Sequence, residues 1–422
     1  MQVLWGIGGM VFLLLLAVAL STNRRAIKPR TVLGALGIQV LFAVIVLYST
    51  VGQNALATVS EGVQAVINSS AEGIGFLFGP VLPEEGSVFA FQVLPVIIFF
   101  ASLTAVLYHL NILQVVVRVV GGALGWVLGT SRAESMNATA NIFVGQTEAP
   151  LVIRPFIPRM TRSEFFAVMV GGLSTAAGSV LVGYSLLGAS LEYLIAASFM
   201  AAPGALLMAK IIMPETDEPL GAPATGEEAR AGEEKEGDAA DAPDEDENPL
   251  HYRNVIDAAA AGASDGLRLA LNVGAMLVAF ISLIALLNLI LGSVGGLFGF
   301  EGLTFELILG YVFAPIMLII GVPWAEAIDA GSFLGQKLVL NEFVAFSNFG
   351  PEAEQFSQKS QAIITFALTG FANFGSLAIL LGGLGGIAPA RRPEIAKYGI
   401  RAVLAGTLAN LMSAAIAGML IF

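Results

Sequence analysis

No cysteine occurs anywhere in the 422 residues. Disulfides, thiolate nucleophiles and cysteine metal sites are excluded, and redox compartment leaves no trace in the sequence. Histidine is almost as scarce. His109 and His251 stand apart without metal-ligand company and read as ordinary surface or interfacial side chains. No glycine-rich phosphate loop with a lysine is present, so ATP-driven work lacks its usual signature. Charge is thin too: 12% of residues are Asp, Glu, Lys or Arg, about half of what a soluble domain carries.

What the chain has instead is apolar length. Hydrophobic residues make up 56% and mean hydropathy is +0.81. Apolar stretches near the ~20 residues that cross a bilayer as a helix recur along it. Expected spans lie at about 3–21, 31–51, 88–110, 163–187, 190–213, 268–291, 361–386 and 398–421. The fold class expected is an all-α polytopic membrane protein with eight transmembrane helices. The first stretch lacks a basic leader and is followed by Arg24, Arg25, Lys28 and Arg30, the order of a first spanning helix rather than a cleaved signal.

The net charge of −12 has one source. Residues 214–250 hold 14 acidic and 2 basic side chains, which leaves 18 of each elsewhere. That segment, rich also in Ala, Gly and Pro, cannot bury a core and is expected to be a disordered cytoplasmic linker, 214–252. Basic residues cluster in 22–30, 118–132, 154–162, 210–268 and 391–401, and 18 of the 20 fall on one side if 22–30 is cytoplasmic. Both termini are then expected outside a plasma (bacterial inner) membrane.

Two regions, about 129–158 and 321–352, are apolar but broken by polar residues and begin and end on the same side. They are expected as re-entrant helical hairpins, buried in protein or lining a wet cavity. They share an ordered pattern: Gly129, Ala133-Glu134, Gln146-Thr147-Glu148 and Gly178-Ser179, then Gly321, Ala325-Glu326, Asn341-Glu342 and Gly375-Ser376. Three crossings between them invert the second copy. An inverted repeat with broken helices is the plan of secondary transporters, with the site at the midplane. The expected divisions are 1–87, N-terminal helices; 88–213, first repeat; 214–252, linker; and 253–422, second repeat.

A carboxylate at membrane depth is costly unless it meets water, a partner or a ligand. Glu148 and Glu342 are the candidates, with no basic residue at either tip. Two plainer roles stay open for each, a protonated side chain or a cap on its own helix. Gln146, Thr147 and Asn341 add uncharged donors and acceptors. Ser174, Thr175, Gly178 and Ser179, then Phe371, Asn373, Gly375 and Ser376, mark two later helices as places of unwinding or close approach. Phe371 offers a face for a planar heterocycle. The set suits an uncharged, hydroxyl-rich, partly planar solute, not a phosphate or dicarboxylate, which would want arginine. Asn141 with the Val144 carbonyl, and Thr175 with the Ala176 carbonyl, could hold a sodium ion.

At these residues the sequence resembles the concentrative nucleoside transporter family. "GQTEAPL" (145–151), "GGLSTAAGSVLVGY" (171–184), "LNVGAMLVAF" (271–280), "GQKLVLNEFVAF" (335–346) and "GFANFGS" (370–376) match its motifs in order, and the acidic linker departs from its pattern. The resemblance implies a homotrimer of protomers with eight transmembrane helices and two re-entrant hairpins. A scaffold, here the helices near 88–110 and 268–291, holds the trimer while a transport domain moves. It implies that Gln146, Thr147, Glu148, Val180 and Phe371 surround a nucleobase and that Glu342, Asn373 and Ser376 bind ribose hydroxyls. Sodium, the coupling ion, would sit at Asn141, Val144, Thr175 and Ala176. No organic cofactor, catalytic residue or nucleic-acid partner is implied. The function expected is sodium-driven import of nucleosides such as uridine or adenosine. The alternatives are proton coupling on the same fold, through Glu148 or Glu342, and a membrane receptor that binds nucleosides without moving them. An enzyme would need a nucleophile–base pair or metal cluster at the tips, which the sequence lacks.

Overall fold

A computed structural model describes residues 2–83, 88–217, 252–300 and 302–421. The expected linker falls almost wholly on 218–251, and His251 with it, outside the described residues. All secondary structure in the described part is helical.

Three helices open the chain: α1 (Gln2–Ala19), α2 (Pro29–Ala43, continued by a π turn at Val44–Tyr48) and α3 (Thr50–Phe78). Pro29 suits a first turn, where no intrahelical donor is needed. Ser49 caps α3 by accepting the Gly52 N–H at 3.0 Å. The helix α3 was not among the expected spans, because Gln53, Asn54, Glu61, Gln64, Asn68 and Glu72 interrupt its hydropathy.

The remaining helices follow in two series. The first runs α4 (Leu94–His109), α5 (Ile112–Leu128), α6 (Arg132–Ala140), α7 (Arg162–Ser174), α8 (Gly178–Leu186) and α9 (Leu191–Ile212). The second runs α10 (Val255–Leu297), α11 (Phe305–Ile319), α12 (Ala327–Val339), α13 (Glu342–Glu352), α14 (Gln358–Leu368), α15 (Phe374–Ile387) and α16 (Arg392–Leu420). The repeated glycines now have a cause. Gly129 and Gly321 take φ +66° and +111° at the ends of α5 and α11, where they stop one helix so that the chain can turn into the next. Between α6 and α7 the chain is not α-helical. Pro150 and Pro158 sit in short 3-10 turns (Ala149–Ile153 and Ile157–Arg159).

Two expected spans prove to be broken helices. The 163–187 stretch parts at 175–177 into α7 and α8, and the 361–386 stretch parts at 369–373 into α14 and α15. Side-chain hydroxyls compete with the backbone at both breaks. Ser174 donates to the Val170 carbonyl, Thr175 to Gly171 and Thr369 to Thr365, at 2.6, 2.8 and 2.7 Å. Gly370, at φ +126°, then turns the chain where a side chain would be strained. Among the described residues, and counting the broken Arg162–Leu186 as one, six helical stretches are long and apolar enough to cross a membrane: Pro29–Tyr48, Phe89–His109, Arg162–Leu186, Leu191–Ile212, Val255–Leu297 and Pro389–Leu420.

Burial sorts these into two groups. The apolar stretches of Arg162–Leu186, Leu191–Ile212 and Pro389–Leu420 are 94%, 89% and 89% buried, so the broken helix packs among α9 and α16. Those of Pro29–Tyr48, Phe89–His109 and Val255–Leu297 are 28%, 22% and 17% buried, and the last two, α4 and α10, pack chiefly on each other. Gly262 and Gly266 of α10 sit so close to α4 that an added Cβ would lie 2.7 Å from the Ala101 carbonyl oxygen and 2.7 Å from Ile98 Cα. This is the small-residue contact by which helices associate in lipid.

Candidate functional site

The second break is set by Asn373. Its Oδ1 accepts the Ser376 N–H at 2.7 Å and caps α15, while its Nδ2 donates to Glu342 Oε2 at 2.8 Å. Glu342 is the first residue of α13, and its neighbour Asn341, not the glutamate, caps that helix by accepting the Val344 N–H at 2.9 Å. The tip of α12 and α13 therefore docks onto the break between α14 and α15. Asn348 on α13 reaches back to Gln336 on α12, as two helices folded against each other require. Glu342, Asn373 and Ser376 are all buried and adjacent.

The first tip repeats the plan. Phe143 O accepts the Gly178 N–H at 3.2 Å, which lays the loop after α6 on the start of α8. Asn141 packs on Gly171, whose absent side chain would otherwise meet its Nδ2 at 3.5 Å. Gln146 packs on Gly172 in the same way. Thr147 lies against Gly383 of α15, so this tip touches the second repeat as well. Glu148 does not cap the turn that follows it; its Oε1 accepts from Thr147 Oγ1 at 2.8 Å, and its side chain is exposed. Val180 is buried on α8.

The two breaks meet. The Phe371 N–H donates to the Thr175 carbonyl at 3.2 Å, and Asn410 Nδ2 of α16 donates to the Ser174 carbonyl at 2.7 Å. An aromatic residue of one break thus lies against the hydroxyl-bearing residue of the other. Asn141 and Thr175 meet at Gly171: a Cβ there would lie 3.5 Å from Asn141 Nδ2, and Thr175 Oγ1 donates to the Gly171 carbonyl at 2.8 Å. Asn141 Oδ1 is buried and accepts no hydrogen bond, and Gln146 Oε1 is in the same state. A buried acceptor without a donor is costly, and a hard-oxygen site for a cation gives Asn141 Oδ1 a use. Among the described residues no group of three His, Asp or Glu side chains could hold a metal.

Two features escaped the sequence reading. Lys337 is fully buried on α12, five positions before Glu342, so the second tip does have a basic neighbour. Its Nζ donates to the Ala367 carbonyl at 2.7 Å and to Asn410 Oδ1 at 2.8 Å. The signal was present in "GQKLVLNEF", where a lone lysine interrupts an apolar stretch. Tyr184 is the other: its ring stacks on Phe346 at 4.4 Å and meets Phe343 edge-on at 4.9 Å. Tyr184 is fully buried.

At the base of the first hairpin, Ser131 and Glu134 form a capping box that starts α6. Glu134 Oε2 pairs with Lys210 Nζ at 2.7 Å, and Lys210 also reaches Ser163 Oγ at 2.9 Å and Glu215 at 3.5 Å. Glu326, which the sequence pattern pairs with Glu134, accepts from Ser357 Oγ at 3.0 Å at the start of α14.

Family comparisons agree with the geometry. The models for the N-terminus and C-terminus of the Na+ dependent nucleoside transporters match residues 8–81 and 193–418, and a nucleoside recognition model matches 90–191. An uncharacterized transporter of Bacillus subtilis, YutK, is 56% identical over 422 residues, covering 100% of both chains. The nucleoside permease NupC of Helicobacter pylori is 46% identical over 430 residues, covering 99% of this chain and 98% of its own. A solved structure of CNTnw in an inward-facing, substrate-bound state superposes with a TM-score of 0.91 at 51% identity, covering 100% of this chain and 98% of that one. The chain belongs to the concentrative, sodium-dependent nucleoside transporter family, whose members are transporters and permeases rather than enzymes.

Proposed function

We propose that this family member imports nucleosides, drives them with sodium and works by elevator-type alternating access. The observation that carries the reading is the Phe371–Thr175 backbone hydrogen bond at 3.2 Å. It puts the proposed sodium ligands and the proposed nucleobase platform on one contact, so occupancy of one is felt at the other. Sodium would take hard oxygens from Asn141, Val144, Thr175 and Ala176. The base would lie among Gln146, Thr147, Glu148, Val180 and Phe371. The ribose hydroxyls would donate to Glu342, whose Oε2 is already held by Asn373, with Asn373 and Ser376 beside it. A carboxylate acceptor strengthens such bonds.

The moving part would be the buried group: the two hairpins, taken as re-entrant, with α7, α8, α14 and α15. The sparsely buried pair α4 and α10 would be the static scaffold and the contact face of a homotrimer, with eight transmembrane helices per protomer. Their exposed apolar surface supports that division. The positive-inside pattern supports a bacterial plasma membrane with both termini outside.

Uptake of labelled uridine and adenosine into proteoliposomes tests the reading, under a sodium gradient, a proton gradient and neither. Accumulation with sodium alone is expected. Accumulation with protons alone would move coupling to the glutamates, and binding without accumulation would make the protein a receptor.

A further inference from the structure

Lys337 is fully buried, and its amine faces a fixed set of partners. It stands at the end of α14, the half-helix whose last carbonyls point into the break. A helix C-terminus carries partial negative charge, and a cation there is stabilising. The ammonium donates to Ala367 O at 2.7 Å and to Asn410 Oδ1 at 2.8 Å. Asn410 passes the contact on, donating from Nδ2 to Ser174 O at the end of α7 at 2.7 Å. The path Ala367–Lys337–Asn410–Ser174 joins the C-terminal ends of the two half-helices through one lysine and one asparagine. Gly370 fits beside it because it has no side chain: a Cβ there would lie 2.5 Å from Ser174 O and 2.7 Å from Asn410 Oδ1.

This path lies outside both proposed ligand sets yet touches each. Ser174 precedes Thr175 and Ala176 of the sodium set. Lys337 lies on α12 five residues before Glu342 of the ribose set, and it holds Ala367 at the end of α14, just ahead of the break that Asn373 closes. We infer that Lys337, acting through Asn410, is the positioning residue that transmits sodium occupancy at the first break to nucleoside affinity at the second. Neither residue touches the solute. Together they fix the distance between the breaks, so a cation that orders Thr175 also orders the α14–α15 break. Two sites joined by a rigid polar path share a coupling free energy, and the coupling is reciprocal.

The inference rests on the sodium-coupled reading of the site. It is tested by equilibrium binding of labelled uridine to the purified full-length protein in nanodiscs, with sodium and with choline in its place. The wild-type protein is expected to gain about tenfold or more in affinity with sodium, a usual size for coupled sites. Lys337→Met and Asn410→Leu are each expected to bring that ratio close to one. The double variant is expected to be no worse than either single change, because both interrupt one path. A ratio unchanged by Lys337→Met in folded protein overturns the inference. If Lys337→Met does not fold, Asn410→Ser carries the test, and a wild-type ratio there overturns it equally. A wild-type protein that binds uridine with no sodium dependence overturns the sodium reading itself, and the inference with it.

Discussion

Asn373 serves two masters: its amide nitrogen holds Glu342 at 2.8 Å while its amide oxygen caps α15 at Ser376 with a 2.7 Å bond. The carboxylate of one hairpin tip is therefore oriented by the same side chain that starts the broken helix beneath it. Any solute that pulls on Glu342 pulls on the geometry of the break.

Replacing Glu342 by glutamine keeps the shape and the bond to Asn373 within reach but removes the charge. Hydrogen bonds to a charged acceptor contribute about 1.5–3 kcal/mol, so uridine kcat/KM is expected to fall about 10- to 100-fold. Uptake assays in proteoliposomes measure it. Wild-type kinetics would remove Glu342 from the ribose site.

Asn141→Leu separates stability from coupling. The amide oxygen of Asn141 is buried without a donor, so an apolar side chain of similar size is expected to leave sodium-free thermal stability unchanged or slightly higher. Sodium stimulation of uptake and sodium-induced thermal stabilisation should both disappear. A retained sodium shift in melting temperature would place the cation elsewhere.

Gly370→Ala tests the meeting of the breaks. The residue sits at φ +126°, and its new Cβ would press on Ser174 O and Asn410. A strained backbone position costs on the order of 1–3 kcal/mol, and the clash adds to it. A clearly lower melting temperature in detergent is expected. An unchanged one would mean that the break is more pliable than its contacts imply.

Lys210→Met leaves Glu134 and Glu215 facing an apolar side chain. Removing one member of a buried pair costs about 3–5 kcal/mol, and removing the facing charge too recovers part of it. Lys210→Met with Glu134→Gln should therefore melt higher than Lys210→Met alone. A double variant as unstable as the sum of the single changes would show that the pair acts independently at the hairpin base.

Much of this architecture was legible because membrane chemistry leaves few choices. The spacing from Gly129 to Glu148 and from Gly321 to Glu342 found both tips, and Gly178-Ser179 and Gly375-Ser376 found both half-helix starts, because only small or capping residues suit an interrupted helix. Where the breaks fall exceeded what hydropathy could show: 163–187 and 361–386 read as unbroken apolar stretches, since a window average does not see Thr175 or Gly370 acting locally. The helices α5 and α11 are apolar but run only 17 and 15 residues, short of the ~20 that mark a span, and α3 was missed because polar residues interrupt its hydropathy. Lys337 was seen but not placed. Sequence distance put it on the hairpin, and only the folded chain brings Ala367 and Asn410, 30 and 73 positions away, into its reach.

The helix α10 runs for 43 residues. At about 1.5 Å per residue it is a rod of about 65 Å, twice the roughly 30 Å of a hydrocarbon core. Even steeply inclined it cannot hide its whole length in lipid. Its first turns carry Asp257, Asp265 and Arg268 and pack along the last turns of α4, where Ser102 Oγ donates to the Ala259 carbonyl at 2.9 Å. Gly274 already meets Leu94, the first residue of α4, so the length of α10 that outruns its partner is the apolar end towards Leu297.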